Sequence, residues 1–387
     1  MAQVFIPRER RPGESRVAAT PETVRRLVQQ GFSVVVEEGA GAGAYFPEAD
    51  FEAAGARITA DPVDAWVEAD VVLKVAPLGL YPGLPGHEMD ALKPGAVLIS
   101  FLAPHRELDT VRRLASGGVT ALAMELVPRV TRAQSIDALS SQASIAGYKA
   151  AVLAAARVPR HFPLLMTAAG TIPAGRVVVL GAGVAGLQAL ATARRLGAVV
   201  EVSDVRAAVR EQVESLGGRF IDLPAAPSGE GAGGYARELG EDFLRKQRET
   251  LTERLAAADA VITTAQVPGK PAPRLVTADM VAAMRPGAVI VDLAAEQGGN
   301  CELSQPDQEV VHNGVTLLAP TNLASTLAHD ASSLYARNVL ALLRLLWKDG
   351  KINIDTTDEV VAGTLLTHDG QVQAPAIQAL LEREVNA

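Results

Sequence analysis

The stretch RVVVLGAGVAGLQALATARRLGAVVEVSD, Arg176–Asp204, decides the fold. Its apolar run Val177–Leu180 ends at Gly181-Ala182-Gly183-Val184-Ala185-Gly186, a helical stretch follows from Leu187 to Leu196, and a second apolar run occupies Val199–Asp204. Strand, glycine turn, helix and strand together make one βαβ unit. Each glycine has its own task. The first turns the chain tightly, the second lets a pyrophosphate approach the backbone at the helix N-terminus, and the third lets helix and strand touch. The second strand ends in Asp204, twenty-three positions beyond Gly181, where a carboxylate bonds a ribose 2′-hydroxyl. That charge repels a 2′-phosphate and so favours NAD(H) over NADP(H). Arg206, two residues on, is the one nearby cation that can neutralise it or hold a phosphate instead.

Outward from this unit, short Val/Ile-rich runs alternate with helical stretches. Strands are expected at Phe32–Glu37, Val71–Ala76, Ala96–Leu102 and Thr120–Met124, then again at Arg176–Leu180, Val199–Asp204, Arg219–Leu223, Ala260–Thr264, Ala288–Leu293 and Val315–Ala319. Between the two series lies the alanine-rich stretch Ser140–Arg157, read as one long helix with small residues for close packing. A second long helix, Thr326–Trp347, returns the chain to the first domain. The expected fold is therefore α/β: two doubly wound Rossmann-like domains with parallel sheets, separated by a cleft and joined by long helices. The first domain takes residues 1–137 and 326–387, the second 138–325. In the last forty residues Ile352–Ile354 and Val360–Leu366 look strand-like.

Composition narrows the function. Length and an apolar share of 48% provide for large cores, and a net charge of −8 with no basic run argues against a nucleic-acid partner. Cys301 is the single cysteine, so neither an internal disulfide nor a cysteine metal cluster is expected, and the chain suits a reducing compartment. The opening MAQVFIPRER has charges where an export signal needs its apolar region. Val177–Ala193 falls short of the ~20 apolar residues that span a bilayer, so no membrane insertion of its own is expected.

Two further segments are candidates for the site. Pro128–Asp137, PRVTRAQSID, lies between the last strand of the first series and the long helix. Arg129, Gln134 and Asp137 offer a fork donor, an amide and a carboxylate, a set that can hold a carboxamide, a ribose or a phosphate. The same residues also read as a solvated turn and a helix cap. Pro224–Leu239 is a Gly/Pro/Ser-rich insertion with one aromatic, Tyr235, and reads either as a lid or as a surface decoration.

At these places the chain resembles the NAD(H)-binding alpha subunit (domain I) of the proton-translocating NAD(P) transhydrogenases. The resemblance covers essentially its whole length. It runs from Glu14-Ser15-Arg16-Val17-Ala18 through Arg129…Gln134…Asp137, the glycine turn and Ser203-Asp204-Val205-Arg206. It continues through the Tyr235 loop and Thr263-Thr264-Ala265…Pro268 to Gly298-Gly299-Asn300-Cys301. It implies that Arg129, Gln134, Asp137 and Ser140 surround the nicotinamide half of NAD(H), that Asp204 takes the adenosine ribose, and that Tyr235 rides a mobile loop closing over the nucleotide. The remaining implied cofactor contacts are Gly181, Gly183, Val184, Ala185, Gly186, Val205, Arg206, Gly234, Thr264, Ala265 and Pro268, with no metal. It further implies direct hydride transfer to NADP(H) held on a partner domain. That transfer would be coupled to proton translocation by membrane-spanning subunits, in a homodimer peripheral on the cytoplasmic face of the inner or plasma membrane.

Alanine dehydrogenase is the alternative, since it shares the fold and much sequence. It needs a lysine for substrate, a histidine as acid/base and an aspartate near the nicotinamide. Lys74 matches the lysine, whereas Ala103 stands at the histidine position and Glu296 at the aspartate position, with His105 two residues beyond Ala103. A regulatory NAD-binding module would keep Asp204 and the glycines but have no reason to keep the Arg129–Asp137 loop. Hydride transfer between two nicotinamides requires positioning at about 3 to 3.5 Å and no proton donor, which suits a site of polar clamps.

Overall fold

In the computed structural model the described residues are 1–81, 84, 86–222, 241–267 and 269–385. Unit 1 comprises Met1–Gln142 with Ser325–Ala387, and unit 2 comprises Ala143–Ala324. The division thus falls inside the long helix Ala138–Arg157, five residues later than the sequence suggests. The first turn of that helix is tied to unit 1, where Ala138 joins the core, Ser141 Oγ donates to Asn338 Oδ1 and the Gln142 amide donates to the Ala331 carbonyl.

In unit 1 six strands, β1 (Gln3–Ile6), β2 (Ser33–Glu37), β3 (Arg57–Thr59), β4 (Val71–Leu73), β5 (Val97–Ser100) and β6 (Thr120–Ala123), pair in parallel in the order β3-β2-β1-β4-β5-β6. Alternate residues feed opposite faces. Val4 and Ile6 enter one core and Phe5 the other, as Leu73 and Val72 do in β4. Burial on both faces is why these strands read as unbroken apolar runs. β1, which sequence periodicity did not single out, lies at the centre, its Val4, Phe5 and Ile6 fully buried.

Unit 2 opens with a separate hairpin, β7 (Leu165–Thr167) and β8 (Gly170–Ile172). Its main sheet contains β9 (Arg176–Leu180), β10 (Val199–Ser203), β11 (Arg219–Phe220), β12 (Ala260–Thr263), β13 (Val289–Asp292), β14 (Glu309–His312) and β15 (Val315–Leu318). The order is β11-β10-β9-β12-β13-β15-β14. Both sheets therefore change direction beside their first strand, at β1/β4 and at β9/β12, where ligands of open α/β sheets bind.

Neither sheet is purely parallel. β14 pairs antiparallel with β15, and β18 (Leu365–His368) and β19 (Gln371–Val372) add an antiparallel edge beyond β6 in unit 1. A small hairpin, β16 (Trp347–Lys348) and β17 (Lys351–Ile352), covers part of the run read as Ile352–Ile354. The β14–β15, β16–β17 and β18–β19 hairpins each turn on a two-residue Asn-Gly or Asp-Gly loop, Asn313-Gly314, Asp349-Gly350 and Asp369-Gly370, with positive φ at both residues. This is the turn whose twist matches paired strands. The strand expected over Val360–Leu366 is instead a helix, Glu359–Thr364, running into β18. Asp358 starts that helix by accepting the Val360 and Val361 N–H groups, a cap that outweighs the β-branched pair.

In unit 2 the small residues of the Ala138–Arg157 helix have the packing role their composition suggests. Ala150, Ala151 and Ala154 are fully buried, and a Cβ at Gly147 would overlap the carbonyl oxygen of Ala185. Helix propensity alone makes Gly147→Ala stabilising by about 1 kcal/mol. The close approach predicts the opposite sign, a net loss of about 2 kcal/mol in urea unfolding. A variant as stable as its parent would show that the two helices do not pack this tightly.

Candidate functional site

At the carboxyl end of β9 the backbone of Gly181 takes φ +104°, a conformation open to glycine, and a Cβ there would stand 2.7 Å from Thr264 Oγ1. Gly186 lies one turn into the helix Val184–Arg195, and a Cβ on it would overlap the Gly181 carbonyl oxygen. These two glycines are required by the fold itself. Gly183 is different: at the N-cap of the same helix, with ordinary extended φ and ψ, its Cβ would meet no described atom within 4 Å. Among the described residues nothing meets Gly183 at the front of a twelve-residue helix whose first N–H groups have no intrahelical partner.

Thr264, just beyond β12, closes the turn from the neighbouring strand by donating to the Gly181 carbonyl at 3.1 Å. Ala265 is held by a fully buried asparagine, Asn300, which accepts from the Ala265 N–H and donates to the Ala265 and Pro273 carbonyls. Asn300 hangs in turn on Asp292 at the end of β13. The Asp292 carboxylate accepts from Thr263 Oγ1, Ala294 N–H, Cys301 N–H and Ser304 Oγ. The sequence offers Asn300 only within the Gly298-Gly299-Asn300-Cys301 motif, with no role attached, and the glycine pair is the outward sign of this Asp292–Asn300 scaffold. At Gly299, φ is +80° and a Cβ would press on Asp292. Cys301 sits within it fully buried, and burial pushes its thiol up to about 11, so it behaves as a core residue.

Asp204 lies where the spacing places it, one residue past β10. Its Oδ2 accepts the Ala182 N–H of the glycine turn at 2.7 Å. Arg206 folds back on the same carboxylate, with its backbone N–H and Nε on Oδ1 and Nη2 on Oδ2. Val205, between them, is partly buried. Unit 2 thus brings together Gly181, Gly183, Val184, Ala185, Gly186, Asp204, Val205, Arg206, Thr264 and Ala265. Gly234, Tyr235 and Pro268 lie outside the described residues.

The second candidate segment belongs to unit 1. Ala133 and Ile136 anchor it in the core, the Asn338 amide donates to the Ser135 carbonyl, and Arg132 forms a two-pronged ion pair with Asp358, both arms 2.7 Å long. That guanidinium holds the Asp358 carboxyl down at about 2. Asp137 caps the Ala138–Arg157 helix, accepting the Ser140 N–H and hydroxyl. The helix-cap reading is therefore realised at Asp137 and Ser140. Arg129 and Gln134, by contrast, are exposed, and together with Asp137 they line a cavity of about 240 Å³. Anchors point inward and the polar tips face the cavity.

At the unit 1 switch point, where unit 2 has its glycine turn, stands Lys74. Its ammonium is fully buried between Glu9 at 3.0 Å and Glu88 at 3.1 Å. Burial works to lower the Lys74 pKa, but the two carboxylates outweigh it and leave it raised. Arg16 is similarly engaged by Glu14 and Gln142. Ala103 takes φ +47° and its N–H donates to Glu125, whose carboxyl burial pushes up. His105 is partly buried, which lowers its pKa, and Glu296 is exposed.

Two family models match the chain, the alanine dehydrogenase/PNT N-terminal domain over residues 5–146 and the C-terminal domain over 150–375. The chain is 50% identical to the Rhodospirillum rubrum protein named as the first portion of NAD(P) transhydrogenase subunit alpha, over 97% of its own length and 98% of the relative's. The solved transhydrogenase from Sinorhizobium meliloti superposes with a TM-score of 0.84 at 45% identity, covering 96% of this chain and 99% of that one. A solved L-alanine dehydrogenase follows at a TM-score of 0.82 and 28% identity, covering 98% and 99%.

The contrast among the glycines is testable by unfolding. Gly183→Ala should keep stability within about 1 kcal/mol of the parent, since its φ suits alanine and its surroundings are empty. Gly186→Ala should lose about 3 kcal/mol, because backbone must move. Equal losses would mean that Gly183, too, serves packing.

Proposed function

Because the chain belongs to the alanine dehydrogenase/PNT family, on its NAD(P) transhydrogenase subunit alpha branch, we propose that it binds NAD(H) and exchanges hydride directly with NADP(H) held by a partner domain. The observation that carries this reading is the cavity lined by Arg129, Gln134 and Asp137, a set of polar clamps with no histidine, cysteine or lysine among its lining residues. When bound, the dihydronicotinamide supplies the hydride itself.

The residues present fit a dinucleotide. Gly183 leaves the helix N-terminus accessible to a pyrophosphate, while the backbone from Gly181 to Gly186 and the Thr264–Ala265 step form its walls. Asp204 accepts the adenosine ribose hydroxyls. In this proposal Arg129, Gln134, Asp137 and Ser140 orient the nicotinamide, Gln134 through its amide and Asp137 by fixing the helix start beside it. Orientation of this kind lowers the barrier without proton transfer, and a displacement of about 1 Å can cost on the order of 100-fold in rate.

The alanine dehydrogenase alternative needs a lysine available to a substrate carboxylate. Two of the three Lys74 donors are engaged by Glu9 and Glu88, and Ala103 offers no imidazole. Among the described residues no helix is long and apolar enough to cross a membrane. In this proposal proton translocation belongs to membrane-spanning partner subunits, with this chain peripheral on the cytoplasmic face. A homodimer is part of the same proposal, supported by the β7–β8 hairpin, which with the preceding Leu164 exposes Met166 and Ile172.

The test is single-turnover reduction of an NAD analogue by NADPH, with the chain reconstituted with an NADP(H)-binding transhydrogenase domain. Gln134→Ala and Asp137→Ala should slow the hydride step more than tenfold while NADH dissociation constants change by less than tenfold, about 1.4 kcal/mol. Asp137→Ala should in addition lose about 1 kcal/mol of stability with its cap. Parental rates in both variants would make the loop structural only. Robust reduction of pyruvate plus ammonia by the chain alone would select alanine dehydrogenase.

A further inference from the structure

We infer that Arg206 sets nucleotide specificity by competing with the adenosine ribose for Asp204. The inference rests on unit 2 being the NAD(H) site. A carboxylate offers about four acceptor positions, two per oxygen. On Asp204 all four are taken: Oδ1 by the Arg206 N–H at 2.9 Å and Nε at 3.0 Å, Oδ2 by the Ala182 N–H at 2.7 Å and Arg206 Nη2 at 2.9 Å. Two of these donors are backbone groups of the turns that shape the site, so they stay while the fold stays. The other two belong to one guanidinium. A ribose diol that donates both hydroxyls to Asp204 must take the positions of that guanidinium.

Burial makes the competition count. The Asp204 side chain is 5% exposed and that of Arg206 is 17% exposed, so the pair is two-pronged and largely shielded from water, unlike an ordinary surface ion pair. Asp204 is therefore not a bare negative charge awaiting the nucleotide. Its repulsion of a 2′-phosphate is muted by the same side chain that blocks the ribose. Once displaced, that guanidinium is a planar fork suited to phosphate. Arg206 accordingly weakens binding of a nucleotide with a free 2′-hydroxyl and eases binding of one with a 2′-phosphate.

The experiment is calorimetric titration of the full chain and of Arg206→Met, each with NADH and with NADPH. Methionine keeps an apolar stem of similar length and removes the fork. NADH should bind the variant about tenfold more tightly and NADPH more weakly, widening the preference by more than tenfold. NADH binding that is unchanged or weaker in Arg206→Met overturns the inference. If that variant melts below the titration temperature, Arg206→Lys takes its place. Its single ammonium covers Asp204 less completely, so NADH should again tighten, by a smaller factor, and no tightening again overturns the inference. Parent protein that binds no NADH removes the underlying reading together with the inference, whereas parent binding with no gain in the variants removes the inference alone.

Discussion

The structure of unit 2 depends on one close approach, that of the helix residue Gly186 to the carbonyl oxygen of Gly181, where any side chain would overlap backbone. The contact fixes the helix Val184–Arg195 against the end of β9, with Gly183 at its N-cap. Thr264 locks the same carbonyl from β12, the Ala182 N–H reaches Asp204 at the end of β10, and Asp292 and Asn300 brace the segment that follows Thr264. One turn thereby positions three strand ends. Gly183 is the part of the arrangement that packing among the described residues does not require.

The two units have the same strand order around their first strands but opposite chemistry at the point where the order reverses. In unit 2 that point is an open helix terminus, suited to an anion. In unit 1 it is a lysine closed off by two carboxylates, with Tyr335 Oη bonded to the Lys74 carbonyl behind it. Two of the three ammonium N–H groups are engaged there, and drawing the cation onto a small carboxylate substrate would leave Glu9 or Glu88 less compensated. Unit 1 also carries the Arg129–Asp137 loop, fastened by Arg132, Asn338 and its buried Ala133 and Ile136.

Much of this was legible in the sequence. The glycine turn, Asp204, the alanine-rich helix and most parallel strands follow from periodicity and spacing, which depend on local geometry. Three things did not follow. β1 was hidden because four residues beside a charged tail carry little periodicity, and burial supplied by β2 and β4 makes it the sheet's centre. The antiparallel edges were announced by Asn313-Gly314 and Asp369-Gly370, turn signals that a search for βαβ units passes over. The pairing of Asp204 with Arg206 and the sequestration of Lys74 depend on side chains meeting in space; Lys74 and Glu9 stand 65 residues apart. Spacing could nominate these residues but not say whether they were already engaged.

If catalysis here is positioning, the hydride step should carry the signature of hydride motion and no signature of proton transfer. The most direct measurement is the single-turnover rate in the reconstituted complex, with NADPH deuterated at the transferred position, across about pH 6 to 9, the range in which an imidazole acid/base titrates. The account predicts a primary isotope effect and a rate that stays flat with pH. A bell-shaped profile, or a rate that follows one ionisation through that range, would contradict it.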